Sequence, residues 1–414
     1  MNDPLTEQVS RISRLPLIKE ALVYIEEKAD QTLEEQIALT TIPAPTFQES
    51  ERGQEFARRL KAYGVGNITT DEAGNVFGVK KGSDPNGPRL VVCAHLDTVF
   101  PEGTSISPEW KEGRLYAPGI ADDGRGLACV LTLAKVLDDC SISTKGDLII
   151  GATVGEEGLG DLFGVKHLFN SRNDIDGFIS VEPGSPERII FQGTGSRRYR
   201  IVFRGQGGHS FGDFGIASAN HALGRAAAKI ADLKVPPEPK TTFTIGEMKG
   251  GTSVNTIAAE ASMVIDLRSI DQMELIKLEN RVLALIDEAV TEENSRWGRD
   301  DITVTSEKVG DRPAGSQPPD SPVVKAAAAA ALSLNLHPAL SGPISTDSNV
   351  PISLGIPSLT LGGGGDFGGA HTLQENFDPE NAHLGPQHLL LTIAALAGLS
   401  EMEEAPLLER KTGN

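Results

Sequence analysis

The feature that most constrains this chain is a change of rhythm near residue 195 and its reversal after residue 310. Before the change, apolar runs of strand length alternate with amphipathic stretches. Helical signals lie at 33–40 and 48–63, a strand at 89–99 (RLVVCAHLDTV), a helix at 124–139, a strand at 146–154, a helix near 162–170 and a short strand at 177–183 (GFISVEP). Such alternation predicts an α/β sheet with both faces covered by helices. From residue 197 the strands alternate polar and apolar residues, as half-exposed strands do. RRYRIVFRG, a helix at 217–233, TTFTIGEM, ASMVIDLRSI, a charged helix over 270–296 and ITVTSEKV then make β-α-β-β-α-β, an α+β unit in its own right. A Pro/Gly-rich stretch at 310–322 leads out of it, and α/β-type segments resume at 321–336, 357–361 and 386–400. The simplest architecture is one α/β domain built from residues 1–194 and 310–414, with residues 195–309 inserted as a second domain.

Bulk properties narrow the partners. With 414 residues, 39% hydrophobic content and 45 glycines, the chain can bury a substantial core and make many tight turns. A net charge of −19 argues against nucleic acid or an anionic membrane surface as a partner. Three cysteines, Cys93, Cys129 and Cys140, form an odd and sparse set that suits a reducing compartment better than a disulfide scaffold. The N-terminal MNDPLTEQVSRISRL lacks the apolar run of a signal peptide, and LLLTIAALAGL at 389–399 is too short to span a bilayer. These features predict a cytoplasmic protein with no membrane partner.

Polar, ligand-type residues recur at the ends of the apolar runs. VVCAHLD supplies His95 and Asp97, GIADDGRG supplies Asp122 and Asp123, TVGEEG supplies Glu156 and Glu157, and ISVEP supplies Glu182. Ligand sites of α/β sheets gather at the carboxyl ends of strands. His371 follows in the Gly-rich GGGGDFGGAHTLQENFD. Each motif alone has an ordinary structural reading: a satisfied core histidine, a turn former, a helix cap or a solvated turn. Together, histidines and carboxylates without cysteine suit zinc or a similar divalent ion, and the set is large enough for two ions that share a carboxylate. In His-x-Asp, the carboxylate can orient the imidazole. Adjacent strand residues point to opposite faces, so Glu156 and Glu157 can serve one site only if the strand has ended at the flanking glycines.

The ordered series HLD, GIADD, GEEG, VEP and GGAH resembles the co-catalytic zinc metallopeptidases and amidohydrolases. That family includes glutamate carboxypeptidase, aminoacylase, acetylornithine deacetylase, succinyl-diaminopimelate desuccinylase and peptidase T. The resemblance covers about residues 35–400. It implies a mixed sheet flanked by helices, with the inserted β-α-β-β-α-β domain acting as lid and homodimer interface. It implies two zinc ions, with cobalt or manganese able to take the same ligands: His95 and Glu182 on one, Glu157 and His371 on the other, and Asp122 bridging. Asp97 would orient His95, Glu156 would be the general base, and a cis peptide would follow Asp122. His209, in GQGGHSFGDFG, would stabilise the oxyanion, and Asn255 and Arg268 would hold the substrate's carboxylate or carbonyl. An Arg268–Asp266 strand pair is the plain alternative. STDSN at 345–349 is a further pocket candidate. The chain departs from the family where Gly124 and Arg125 stand in place of the usual lysine after the aspartates. The remaining histidines, His167, His221, His337, His383 and His388, read as structural. The resemblance implies hydrolysis of an amide bond in small peptides or N-acyl amino acids. Glutamate at position 182, where aminopeptidases of the family tend to carry aspartate, favours a carboxypeptidase or deacylase. A di- or tripeptide aminopeptidase is the alternative, and a non-catalytic metal-binding relative a remote one.

Overall fold

The computed structural model describes residues 3–411. The chain forms two compact units, Thr194–Ser316 and the remainder on either side of it. The larger unit is built on an eight-stranded mixed sheet, in the order Gly66–Thr70, Val76–Lys80, Asp147–Thr153, Arg89–His95, Gly177–Glu182, Ser358–Gly362, Arg188–Ile190, Ala339–Leu340. Its centre is parallel: Arg89–His95 pairs in parallel with both Asp147–Thr153 and Gly177–Glu182, and Ser358–Gly362 pairs in parallel with Gly177–Glu182. The carboxyl ends of these central strands therefore lie side by side. The register sets His95 opposite Thr153 and Gly362 opposite Glu182.

Burial on both faces explains the near-continuous apolar runs. Along RLVVCAH, Leu90, Val92 and Ala94 join the core beneath the helices Gly124–Asp139 and Leu384–Ala397, while Val91 and Cys93 join the smaller core with Leu162, Val165 and Phe178. Each such residue contributes roughly 1.5–3 kcal/mol if large and fully buried. The strand is shorter than the expected 89–99 and stops at His95. Just beyond it, the Leu96 carbonyl accepts from the Nη1 of Arg52 rather than from a neighbouring strand. Helices Pro4–Ile12 and Pro16–Glu27 precede those expected, each with proline in its first turn. All three cysteines are free thiols, Cys93 and Cys129 buried. No helix among the described residues is long and apolar enough to cross a membrane.

The second unit is a four-stranded antiparallel sheet, ordered Thr241–Gly250, Glu260–Ser269, Gly195–Arg204, Thr303–Arg312. Burial alternates strictly along Glu260–Ser269, so Ala261, Met263, Ile265 and Leu267 meet the helices Ala219–Ala231 and Gln272–Trp297. Asp271 caps the second helix by accepting from the Glu274 N–H, and Gly298 ends it at φ 62°. The last strand runs to Arg312, past the expected end at 309, because an irregular register at Arg198/Tyr199 lets its pairing continue to Ser196. Gly208–His209 forms a short antiparallel pair with Thr256–Ile257.

Candidate metal centre

Three strand ends and two turns deliver the site of the larger unit. His95 closes its strand, fully buried, and its Nδ1–H donates to the main-chain carbonyl of Asp97 at 3.0 Å. That leaves Nε2 facing Oδ1 of Asp122 at 3.0 Å and Oε2 of Glu182 at 3.9 Å. The expected orienting role of the Asp97 carboxylate is thus filled more closely by its carbonyl, the carboxylate lying 3.4 Å from Nδ1. The carboxylate has other work. Its Oδ1 accepts from the Glu156 N–H and its Oδ2 from the Glu157 N–H, each at 3.0 Å, with the Thr46 hydroxyl on Oδ2 at 2.9 Å. The strand before these glutamates ends at Thr153, and Gly155, at φ 62°, turns the chain so that both side chains are buried together near His95.

The two aspartates separate. Asp123 caps the helix Gly124–Asp139, its Oδ1 accepting from Gly126 N–H at 2.9 Å and its Oδ2 from His95 N–H at 3.1 Å. Asp122 instead points each oxygen at a different imidazole: Oδ1 at His95 Nε2, 3.0 Å, and Oδ2 at His371 Nε2, 3.1 Å. The peptide between them is cis. His371, at φ 62°, also places Nε2 3.0 Å from Oε1 of Glu157. Its loop crowds the helix Leu384–Ala397, where a side chain at Gly364 would sit 2.3 Å from the Ala382 carbonyl.

Three donor groups result: Asp122, Glu157 and His371; His95, Asp123 and Glu182; and His95, Glu156 and Glu157, with Asp122 also facing His95. Both oxygens of Asp123 already accept from backbone N–H groups, whereas each oxygen of Asp122 faces a different imidazole. Oε1 of Glu182 is buried with no hydrogen-bond partner among the described residues. Such an orphaned carboxylate oxygen beside further carboxylates fits a cation. Electrostatics agree. Burial would lower His95, yet Asp122, Asp123, Asp97 and Glu182 together hold it well above the usual imidazole range. Hydrogen bonds to Asp122 and Glu157 push His371 up to about 10. Burial, then Asp123, Glu156 and Asp122, raise Glu182 against the pull of His95. A pocket this acidic draws positive charge, and its oxygen and nitrogen donors suit a borderline or hard divalent ion.

Several supporting residues stood outside the expected ligand and catalytic set. Arg52 is fully buried and donates to the carbonyls of Thr40, Ile42 and Leu96. Glu49 accepts from the N–H groups of Phe47 and Gly155. Arg125, the departure from the family's lysine, donates to the Gly363 and Ala382 carbonyls at 2.7 and 2.6 Å, tying the glycine loop to the helix behind Asp122. Glu375 is fully buried and accepts from three backbone N–H groups around Asp122. Burial, with the Asp122 charge, pushes its carboxyl up to about 7 against the pull of those donors. For Arg52 and Glu49 the sequence offers only a charged residue in an ordinary helical segment, while Arg125 and Glu375 sit inside GIADDGRG and GGGGDFGGAHTLQENFD with nothing to mark their partners. Thr346, Asp347, Ser348 and Asn349 of the STDSN segment are buried, and the Thr153 hydroxyl donates to Asp347.

The second unit holds His209, Asn255 and Arg268. His209 is exposed, and its Nδ1 accepts from the backbone N–H groups of Phe211 and Gly212 at 3.3 and 3.1 Å. Two donors on Nδ1 place the proton of the neutral ring on Nε2. Asn255 lies beside it, its carbonyl accepting from Ser210 N–H and its side chain from the Ser253 hydroxyl. Arg268 pairs with Asp266 on the same strand, Nε to Oδ2 2.6 Å, as its plain alternative holds. His388 is buried and bonds the Ala327 carbonyl, a structural histidine.

Known proteins resemble this chain in sequence and in fold. A protein of Bacillus subtilis, YqjE, is 27% identical over 282 residues, covering 64% of this chain and 73% of its own. The succinyl-diaminopimelate desuccinylase of Burkholderia multivorans is 27% identical over 290 residues, covering 65% and 76%. Among solved structures, a tripeptidase from Staphylococcus aureus superposes with a TM-score of 0.75 at 24% identity, over 88% of this chain and 97% of that one. The YxeP protein of Bacillus subtilis, a dinuclear metal-binding peptidase, gives 0.69 at 15%, over 90% and 99%. The model of peptidase family M20/M25/M40 matches residues 91–395, the span that carries every donor of the centre, and the chain accordingly belongs to that family of peptidases and amidohydrolases, enzymes that cleave C–N amide bonds.

Proposed function

We propose that this enzyme is a two-metal amidohydrolase acting on small peptides or N-acyl amino acids. The observation that carries this reading is Asp122, whose two oxygens face two different imidazoles at 3.0 and 3.1 Å. His95 and Glu182 would hold one ion, Glu157 and His371 the other, and Asp122 both. Zinc is the expected metal, with cobalt or manganese accommodated by the same donors. Such a pair of ions supplies Lewis-acid polarisation of the scissile carbonyl and a water made acidic enough to attack at neutral pH. Glu156, buried beside Glu157 and His95, takes the proton from the attacking water and passes it to the leaving amine. His209 donates from Nε2 to the developing oxyanion, the tautomer being held by the N–H groups on Nδ1. Asn255 and Arg268 receive the substrate's carboxylate or carbonyl, the Arg268 fork keeping donors beyond its bond to Asp266.

Residues 195–309 then serve as lid and homodimer interface, and the exposed edge strand Thr241–Gly250 offers unpaired backbone for a second copy. The cytoplasm is the expected compartment. Glutamate at position 182 and the desuccinylase relatives favour a deacylase or carboxypeptidase, while the likeness to a tripeptidase keeps an aminopeptidase as the second reading. The test is metal analysis followed by a substrate panel of a free dipeptide, an N-acetyl amino acid and a C-terminally amidated peptide. About two divalent ions per chain and turnover of the N-acyl substrate are expected. Fewer than about one bound ion would overturn the metal reading, and turnover of only free-amine, amidated peptides would replace deacylase with aminopeptidase. Sedimentation of a fully active monomer would remove the dimer.

A further inference from the structure

Glu375 stands four residues beyond His371, in the same Gly-rich stretch but outside the expected ligand set. Its main chain belongs to the turn that carries the histidine: Thr372 N–H donates to the Gly369 carbonyl, and Glu375 N–H to the Thr372 carbonyl. Its side chain belongs to a different turn. Oε2 accepts from Gly119 N–H at 3.0 Å, and Oε1 accepts from both Ala121 N–H and Asp122 N–H at 2.9 Å. The Glu375 carbonyl accepts from Ala117 N–H at 3.1 Å, closing the same contact from the main chain. One fully buried residue therefore spans the loop that ends in Asp122 and the loop that carries His371.

We infer that Glu375 is a positioning residue for the metal pair, setting the shared carboxylate of Asp122 and the imidazole of His371 at a fixed separation. The inference rests on the two-metal reading above. Three convergent N–H groups are far more than a surface turn needs, and they are the donors that fix where the Asp122 Cα sits. Without the carboxylate, three buried N–H groups lose their acceptor and the Asp122 turn is free to shift, although both ligands remain present. Glutamine is the graded probe: its amide oxygen can serve Ala121 and Asp122, but its NH2 then faces the Gly119 N–H, donor against donor.

The experiment compares the wild-type protein, Glu375→Gln and Glu375→Ala, each freed of metal by chelation and titrated with Co2+. Affinity is read by calorimetry, ligand geometry by the visible absorption of bound cobalt, and fold by far-UV circular dichroism of the metal-free proteins. The expected result is cobalt affinity weakened about tenfold in Glu375→Gln and about a hundredfold in Glu375→Ala, the range for partners behind first ligands, with altered cobalt absorption and unchanged metal-free dichroism. Wild-type affinity and absorption in both variants would overturn the inference while leaving the two-metal reading intact. Failure of both variants to fold without metal would assign Glu375 to folding and also overturn it. A wild-type protein that binds no cobalt would overturn the functional reading, and this one with it.

Discussion

Two acidic doublets at the centre, Asp122–Asp123 and Glu156–Glu157, look alike on paper and are used differently. In the aspartate pair, backbone N–H groups claim one member: Asp123 takes the donors of Gly126 and His95 and becomes a helix cap, so only Asp122 faces the imidazoles. In the glutamate pair, the backbone donors go elsewhere. Asp97 accepts both the Glu156 and Glu157 N–H groups, which leaves both side chains for the site. The difference lies in where the orphan N–H groups at the end of each strand or start of each helix find acceptors.

That contrast can be broken at four points. The largest effect is expected at Glu156→Gln. Turnover should fall on the order of 10²–10⁴-fold, as for loss of a general base, while metal content stays at the wild-type value. Normal turnover, measured with the best substrate of the panel, would remove Glu156 from the chemistry. Next comes Asp97→Asn, which keeps the carbonyl that orients His95 but gives the Glu156–Glu157 turn a poorer acceptor. Metal affinity should drop by about 10–100-fold, and calorimetric titration of the metal-free variant would show it.

Asp123→Ala should act on stability more than on ligation. Losing the cap costs about 0.5–2 kcal/mol, and leaving the buried His95 N–H without an acceptor costs roughly a further 1–3 kcal/mol. Thermal unfolding of the metal-free protein reports the sum, and a variant as stable as wild type would show that the two doublets are not divided as described. The smallest effect belongs to Arg268→Ala. Its bond to Asp266 lies on a partly exposed strand face and should be worth no more than about 1 kcal/mol. A rise in KM with unchanged melting temperature would mark a substrate contact, and an unchanged KM would leave Arg268 a strand residue.

Removing metal extends the comparison to the two units. The acidic centre lies within the larger unit, whereas the second has its own core around Ile201, Met263, Ile265 and Leu267. Chelation should therefore lower the unfolding temperature of the larger unit and leave that of the second nearly unchanged. Differential scanning calorimetry resolving one shared shift would contradict this.

Much of this could be read from the amino-acid order, because local physics leaves local marks. Burial on both faces requires continuous apolar runs, so the central strands announce themselves, and a polar residue closing such a run, as His95 and Glu182 do, stands out against it. Period-two alternation in ASMVIDLRS marks a one-sided sheet for the same reason. The glycines flanking Glu156 and Glu157 mark a turn because a positive φ favours glycine. What the order of residues could not supply is which buried acceptor meets which backbone donor. Arg52, Glu49, Arg125 and Glu375 act on carbonyls and N–H groups remote in sequence, and Glu375 reaches Asp122 across more than half the chain. A charged side chain bonded to main chain leaves no periodicity and no motif, since every residue but proline offers the same N–H and carbonyl. Only the tertiary structure decided that Asp123 is a cap while Asp122 faces two imidazoles, and that the His95 ring donates to the carbonyl of Asp97.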